Sequence, residues 1–433
     1  MTISRRTMLK STAAALAAPY FVPARALGKD GFTAPSNRIV FASVGWGMQG
    51  PSNTKKFLSF DDCQVVAICD LDGNHLYDGV KTVNEKYKNK DCKGYHDYRE
   101  MLARKDIDAV CLSVPDHWHA LVATEAAKNR KDIWGEKPLA KTFREQQAIV
   151  KAVQDNKVIW QTGSWQRSTF NFHDGVELVR NGLIGKINRV EVGLPAGHKD
   201  FARTGEYKQP TPPPEMLDYN MWLGPSKQEP YIEARVHKNW RWNYNTGGGQ
   251  LMDWVGHHVD IAHWGLGFDD TGPTEVEGNA TFPSPTDVWN TATKYRITAK
   301  YEGGVEMIIA GGHDDIQSGT KWIGDEGWVY VNRGKFDASN KEWLKKGFMI
   351  PDQKVTIYRS KDHWGNLVDC IKSRLPTIAP VEVAHRSATP GHLGYIATKL
   401  GRKIRWDPRK EEIIGDAEAT KMLGRDYRKP WAL

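Results

Sequence analysis

Cysteine is scarce in this sequence: there are five in 433 residues, an odd number, and no two stand in a C-x-x-C spacing. Cys63, Cys69, Cys92, Cys111 and Cys370 therefore read as buried thiols, not as a disulfide framework, which suits a chain that folds in a reducing compartment. Long apolar runs are missing too. The alanine-rich stretch from Ser11 to Val22 falls short of the ~20 residues a bilayer requires, so no membrane anchor is expected. Charge of one sign is not in large excess. Of the formal +8, four cations (Arg5, Arg6, Lys10 and Arg25) sit in a leader-like segment without acidic residues, and removing them leaves +4. Spread over a chain of this size, that argues against a nucleic-acid partner. Internal repeats are absent as well.

What is present begins with the leader. Ser4-Arg5-Arg6-Thr7-Met8-Leu9-Lys10 is a twin-arginine pattern, and the apolar stretch after it leads to a small-residue cleavage signature, Ala24-Arg25-Ala26. Residues 1–26 are expected to be a twin-arginine signal peptide and 27–37 a linker or arm, with the folded protein exported to the periplasm. No cysteine follows closely enough to carry a lipid. A cofactor scarce outside the cytoplasm has to be loaded before the crossing.

The length implies two or three domains. From Arg38 onward strand and helix signals alternate: strands at 38–44, 64–69, 108–114, 132–134 and 157–161, with helices at 119–129 and 143–155. Such alternation implies right-handed βαβ crossovers and a parallel sheet. The first strand runs into Gly45-Trp46-Gly47-Met48-Gln49-Gly50. In a G-x-G-x-x-G turn, Gly45 permits the tight bend, Gly47 lets backbone approach a pyrophosphate, and Gly50 allows close helix-to-strand packing. Asp70, at the end of the second strand, is placed to accept a hydrogen bond from a ribose 2′-hydroxyl and to repel a 2′-phosphate, which favours NAD and leaves NADP open. A Rossmann domain is predicted over residues 38–162. After Gly163 the texture changes, with a helix at 173–180 and strands at 189–194, 291–301 and 304–311, the last two joined by Glu302-Gly303-Gly304. The fold class is α/β: the N-terminal Rossmann domain with its parallel sheet, then an α+β domain over residues 163–433 with a large open, mainly antiparallel sheet for substrate binding.

Two segments fall at the carboxyl ends of parallel strands, where open α/β sheets bind ligands. Ser113-Val114-Pro115-Asp116-His117-Trp118-His119 contributes Ser113, Pro115 and His119 to the expected cofactor site, together with the turn residues from Gly45 to Gly50. Gly135-Glu136-Lys137-Pro138 contributes Glu136 and Lys137, and a lysine there can donate to a substrate hydroxyl or take its proton. A third segment runs from Gly247 to His263. If it is helical from Leu251, Asp253 and His257 share one face and Asp260 joins them a turn later. Such spacing also suits zinc or iron, but neutral histidine beside a carboxylate suits alcohol oxidation, and the reading adopted has no metal. His117, His258 and His263 read as structural. Tryptophan is abundant, at 17 residues, and Trp165, Trp222, Trp240, Trp242, Trp254 and Trp364 lie near these segments. Sugar faces stack on such rings while Gln166, Arg167, His198, Arg241 and Asn243 can satisfy hydroxyls. The expected substrate set is Trp165, Gln166, Arg167, Arg241, Trp242, Asp253 and His257.

The ordered combination of Gly45-x-Gly47-x-x-Gly50, Glu136-Lys137-Pro138, and three glycines followed by Asp253-x-x-x-His257 resembles the glucose-fructose oxidoreductase, inositol dehydrogenase and rhizopine-catabolism family (Gfo/Idh/MocA), from about Arg38 to the end. Carried over by position, the resemblance implies Lys137, Asp253 and His257 as the catalytic residues, with Lys137 and His257 at the reacting hydroxyl and either one as the base. It also implies a homodimer or homotetramer through the open sheet face. The expected activity is oxidation of a secondary hydroxyl of a sugar or glycoside by a recycled nicotinamide. One alternative is a glycosidase working by oxidation, elimination and re-reduction; another is a non-catalytic carbohydrate or nucleotide binder.

Overall fold

The structure, a computed structural model, describes Ala34 and residues 37–433; the expected leader and nearly all of the arm lie outside the described residues. The first sheet is built from Ile39–Val44 (β1), Cys63–Cys69 (β2), Lys93–Tyr95 (β3), Ala109–Leu112 (β4), Asp132–Gly135 (β5) and Trp160–Thr162 (β6). They run in the order β3-β2-β1-β4-β5-β6, and every pair is parallel. This is the doubly wound arrangement in which the chain reverses beside β1, leaving a crevice at the strand ends. Both faces are covered, which is why β4 and β5 are buried at every position and why β4, Ala-Val-Cys-Leu, reads as an unbroken apolar run instead of alternating. Helices His119–Lys128 and Phe143–Asn156 cover one face. The capping box between Thr142 and Glu145 starts the second of these.

The second sheet follows: Ile187–Leu194 (β7), Glu275–Thr281 (β8), Lys294–Lys300 (β9), Glu306–Gly311 (β10), Gly319–Gly324 (β11), Trp328–Asn332 (β12), Lys335–Ala338 (β13), Ile404–Asp407 (β14) and Glu412–Ile413 (β15). Its order is β13-β12-β11-β7-β10-β9-β8-β14-β15. Only β7 and β10 are parallel; the other neighbours are antiparallel. β9 and β10 form the expected hairpin, turned by Gly303 and Gly304 at φ 85° and 88°. Side chains alternate between faces. Met307 and Ile309 point into the main core, whereas Ile308 and Ala310 join Ile316 in a separate small cluster on the other face.

Three features bind the halves together. Helix Val381–Leu400 places Val381 and Ala384 in the core of the parallel sheet and Ala388, Leu393 and Ile396 in the core of the second sheet. Helix His363–Ser373 lays Leu367 and Val368 on the parallel sheet, although the sequence order assigns it to the other domain. Within the long connection after β7, Leu217 bridges Asp72, and the Gly73 N–H donates to the Met216 carbonyl at 2.7 Å. Among the described residues no helix is long and apolar enough to cross a membrane.

Candidate active site

The glycine turn shows three different constraints. Gly45 has φ 90°, and a Cβ there would lie 2.4 Å from the Ser113 carbonyl oxygen. A Cβ on Gly50 would lie 1.9 Å from the Gly45 carbonyl oxygen, whereas one on Gly47 would meet no protein atom within 4 Å. The helix that follows, Gly50–Phe57, has proline in its first turn, no acid there, and no side-chain cap from Gln49. Its amide end is therefore open to an anion, and the space at Gly47 lets a pyrophosphate come against backbone. The residues present fit a dinucleotide. Asp70 accepts the N–H of Trp46 at 2.6 Å and that of Asp72 at 2.9 Å, which fixes its carboxylate at the rim of the same turn. The Trp46 side chain departs from expectation: it is buried against Ile68 and Gly79, and its Nε1–H donates to Asp78 at 2.8 Å. Only its backbone belongs to the turn.

One cleft runs from this turn across the strand ends. Gly45, Gly47, Met48, Gln49, Asp70, Ser113, Pro115, His119, Glu136 and Lys137 line it, and Arg241 closes it from the other domain. Glu136 accepts the Asn53 amide at 2.7 Å, and the two ring nitrogens of His119 lie 2.8 Å and 2.9 Å from the carbonyls of Pro138 and Val114. Six further lining residues, His75, Asp116, Trp222, His237, Lys238 and Trp240, escaped the expected set. Asp116, Trp222 and Trp240 stood in segments the sequence had already marked. His75 and His237 carried no local signal, because the long connection brings their rings to 5.1 Å from opposite domains.

Lys137 follows β5 directly, and its Nζ donates to Asp253 Oδ1 at 2.8 Å and to the Asp253 carbonyl at 3.1 Å. Arg241 Nε donates to the same Oδ1 at 3.3 Å. Burial alone pushes the Asp253 carboxyl up, but the charges of Lys137 and Arg241 overturn this and hold it well below the usual range. His257 sits behind them, 6% exposed, with Nδ1 buried and, among the described residues, unpartnered. Burial, then the charges of Lys137 and Arg333, holds its imidazole well below the ordinary value, so the ring is neutral. Lys137 and its backbone neighbourhood are packed tightly on this segment: a Cβ on Gly256 would come 2.7 Å from Lys137 Cβ.

The helix carrying these residues is not regular. It runs as α from Gly249 to Trp254, as π from Val255 to Val259, and as α again from Asp260. A π turn advances each residue less than the ~100° of an α-helix, so Asp260 rotates off the Asp253 face. It points into the second domain instead, where Arg167 binds it at 2.8 Å and Asp269 at 2.7 Å. Arg167 is 2% exposed and so is a buried structural cation, not a hydroxyl donor of the cleft. Trp242 is fully buried, lies against Phe201 and His198, and donates to the Lys199 carbonyl. Gln166, also fully buried, lies 3.3 Å from His258 Nδ1 and accepts from Arg333. Trp165 stands 6.4 Å from His257, ring to ring, but the Arg333 guanidinium lies between it and Trp254, 4.8 Å and 4.6 Å from the two centroids. Trp364 stacks on Trp134 in the first domain. Among the described residues, the groups spaced to hold a metal are Asp72, His75 and His237, and His173, Asp174 and Glu177; neither includes Asp253 or His257.

Two family models match this chain in succession: an oxidoreductase family, NAD-binding Rossmann fold, over residues 39–164, and an oxidoreductase family, C-terminal alpha/beta domain, over residues 171–433. A glycosyl hydrolase family 109 protein of Shewanella woodyi is 30% identical over 150 residues, covering 33% of this chain and 32% of that protein. Inositol 2-dehydrogenase of Salmonella typhimurium is 28% identical over 200 residues, covering 45% and 56%. The matches thus span about a third to a half of these relatives. The WlbA dehydrogenase of Bordetella pertussis, solved with NADH and UDP-GlcNAcA, shares the fold with a TM-score of 0.63 at 18% identity, over 86% of this chain and 99% of that one.

Proposed function

This chain belongs to the Gfo/Idh/MocA oxidoreductase family, and from that premise we propose that it oxidises a secondary hydroxyl of a sugar or glycoside to a ketone, with C3 the first position to test. The observation that carries the reading is one cleft lined both by the open glycine turn and by Lys137, the lysine that Asp253 holds. Nicotinamide, when bound, supplies the hydride acceptor. Gly45, Gly47 and the amide end of the first helix would hold the pyrophosphate of a dinucleotide and Asp70 its ribose, with Ser113, Pro115 and Glu136 lining the rest of the cleft toward Lys137. Lys137, an ammonium with no lone pair, donates to the oxygen of the reacting hydroxyl and is aimed by Asp253. Neutral His257 offers the nitrogen that takes the hydroxyl proton. A placed acid-base group of this kind contributes ~10²–10⁴ in rate. Arg241 holds Asp253 from the substrate side.

A second reading rests on the glycosyl hydrolase relatives. Transient oxidation acidifies the neighbouring C–H, elimination then releases the glycosidic group, and addition of water with re-reduction gives net hydrolysis. The twin-arginine pattern and the five unpaired, buried cysteines support export of an already folded holoprotein to the periplasm, where the cofactor is recycled in place. A homodimer or homotetramer through the outer face of the second sheet, implied by the family resemblance, belongs to the same reading.

The test is to purify the mature protein, identify co-purifying nicotinamide by mass and absorbance, and add glycosides singly. Bound NAD that becomes reduced on adding a glycoside supports oxidation. Release of sugar with no net change in the cofactor selects the hydrolytic reading. A protein that neither retains nor binds nicotinamide overturns both.

A further inference from the structure

A second cavity, of about 330 Å³, shares no lining residue with the cleft, although Lys141 in its wall stands only four positions after Lys137. Lys141 is 4% exposed. Among the described residues its ammonium has no ion pair or hydrogen bond; it rests on the face of Tyr244, 3.4 Å from the ring centroid. Tyr244 stacks on Tyr395 at 4.1 Å, so the two rings make one wall. Nearby carboxylates are engaged elsewhere. Glu145 is bound to Arg425 at 2.7 Å, Asp116 accepts the Gly248 N–H at 3.1 Å, and Glu229 faces Arg235 at 2.9 Å; Asp426 is exposed at the rim.

Three lining amides are locked in one orientation. The Oδ1 atoms of Asn243, Asn245 and Asn290 accept the backbone N–H groups of Asn245, Lys227 and Tyr244 at 2.9, 2.9 and 2.7 Å. Their Nδ2 groups each donate once, to the carbonyls of Val288, Lys227 and Pro285, and each has a second N–H to give. The wall is therefore rich in donors around a buried amine that, among the described residues, lacks a counter-ion. Burial, aided by the Arg425 charge, draws the Lys141 amine down to about 7. A bound anion reverses that shift.

We propose that this cavity is a second binding site, for the carboxylate of a small, sugar-sized acid, with Lys141 as its counter-ion and the Asn243, Asn245 and Asn290 amides as further donors. The volume sits at the small end of ligand pockets, large enough for one monosaccharide acid. The source is either an acidic sugar or a simple organic acid.

Calorimetric titration of the full-length mature holoprotein with galacturonate, galactose and acetate at about pH 8, in two buffers of different ionisation enthalpy, tests this. The expected result is binding of galacturonate but not galactose, with uptake of nearly one proton per site as the neutral amine becomes charged. Acetate binding as tightly as galacturonate assigns the simple acid; acetate failing to bind assigns the acidic sugar. Lys141→Met should weaken carboxylate binding at least tenfold and abolish the proton uptake. Asn290→Asp keeps the acceptor for Tyr244 but turns a donor into an anion; it should weaken binding likewise, with affinity for NAD unchanged. No binding of either acid overturns the proposal, as does binding that both variants leave intact or that proceeds without proton uptake.

Discussion

Alanine at Gly47 and alanine at Gly50, three residues apart, should have opposite phenotypes. At Gly50 the new methyl meets the Gly45 carbonyl oxygen at 1.9 Å, backbone against backbone, so strand and helix must separate. Overpacking of that kind costs about 1–3 kcal/mol, and each kcal/mol lowers Tm by roughly 2–4 °C in a domain of this size. At Gly47 the methyl meets nothing within 4 Å, and its φ lies outside the left-handed region. The apo-protein should keep its stability or gain about 0.4–1 kcal/mol from a stiffer unfolded chain. Its methyl, however, stands where the pyrophosphate has to come. Losing one backbone donor to a phosphate costs about 1.5–3 kcal/mol, so Kd for NAD should rise roughly 10- to 100-fold. Chemical denaturation of both apo-variants and fluorescence titration with NADH measure the two effects separately. A Gly47→Ala protein that binds NADH with parental affinity refutes the placement of the dinucleotide across this turn.

Asp253→Asn should lower kcat by ~10²–10⁴ with folding retained, since it removes the carboxylate that holds Lys137 and Arg241; single-turnover kinetics on a responsive glycoside reads this. Arg167→Met should act in the opposite sense, costing about 3–5 kcal/mol of stability by stranding Asp260 and Asp269 in the interior, while the folded fraction keeps its KM; parental stability would return Arg167 to the substrate set. Burial alone raises the Glu411 carboxyl, but His385 and Gln147, with the Arg386 charge, hold it at about 2. A depressed carboxylate stabilises the fold above its unfolded pKa, near 4.5, and the contribution fades as pH falls toward 2. Glu411→Gln should therefore flatten the acid limb of stability between those values and cost roughly 1–2 kcal/mol at pH 7, part of the pair being screened by solvent. Replacing Arg5 and Arg6 together by lysine should leave the protein in the cytoplasm, with its cofactor bound, on fractionation.

The parallel half was legible because its signals are local. β4 is a short apolar run, Thr142 and Glu145 mark a helix start, and the turn at Gly45 declares its own geometry. The second half was legible in part: the β9–β10 hairpin was visible through its two glycines, but helix Val381–Leu400 was not. It is buried on nearly every side, so it has no polar stripe to set a period of 3.6, and Pro390 within it reads as a breaker. The same limit applies to the site. Lys137 and Asp253 could be named from their segments, but Asp260 was misplaced because a π turn cannot be seen in residue spacing. Arg167 and Trp242 were misassigned because residue type alone does not tell a buried donor from one facing a ligand. His75 and His237 depend on a loop whose path is set by tertiary contacts.

The segment after Leu423 also runs back to the beginning. Arg425 Nη2 donates to the His117 carbonyl across 308 positions, and Trp431 sets its ring edge-on to Trp118 at 4.8 Å. The nucleotide domain, though synthesised first, thus lacks part of its packing until more than four hundred residues have been made. Until residues 425–431 are in place, the His117 carbonyl and the Trp118 ring lack these two partners at that edge. A bulky fusion beyond Trp431 would be felt first in the nucleotide domain.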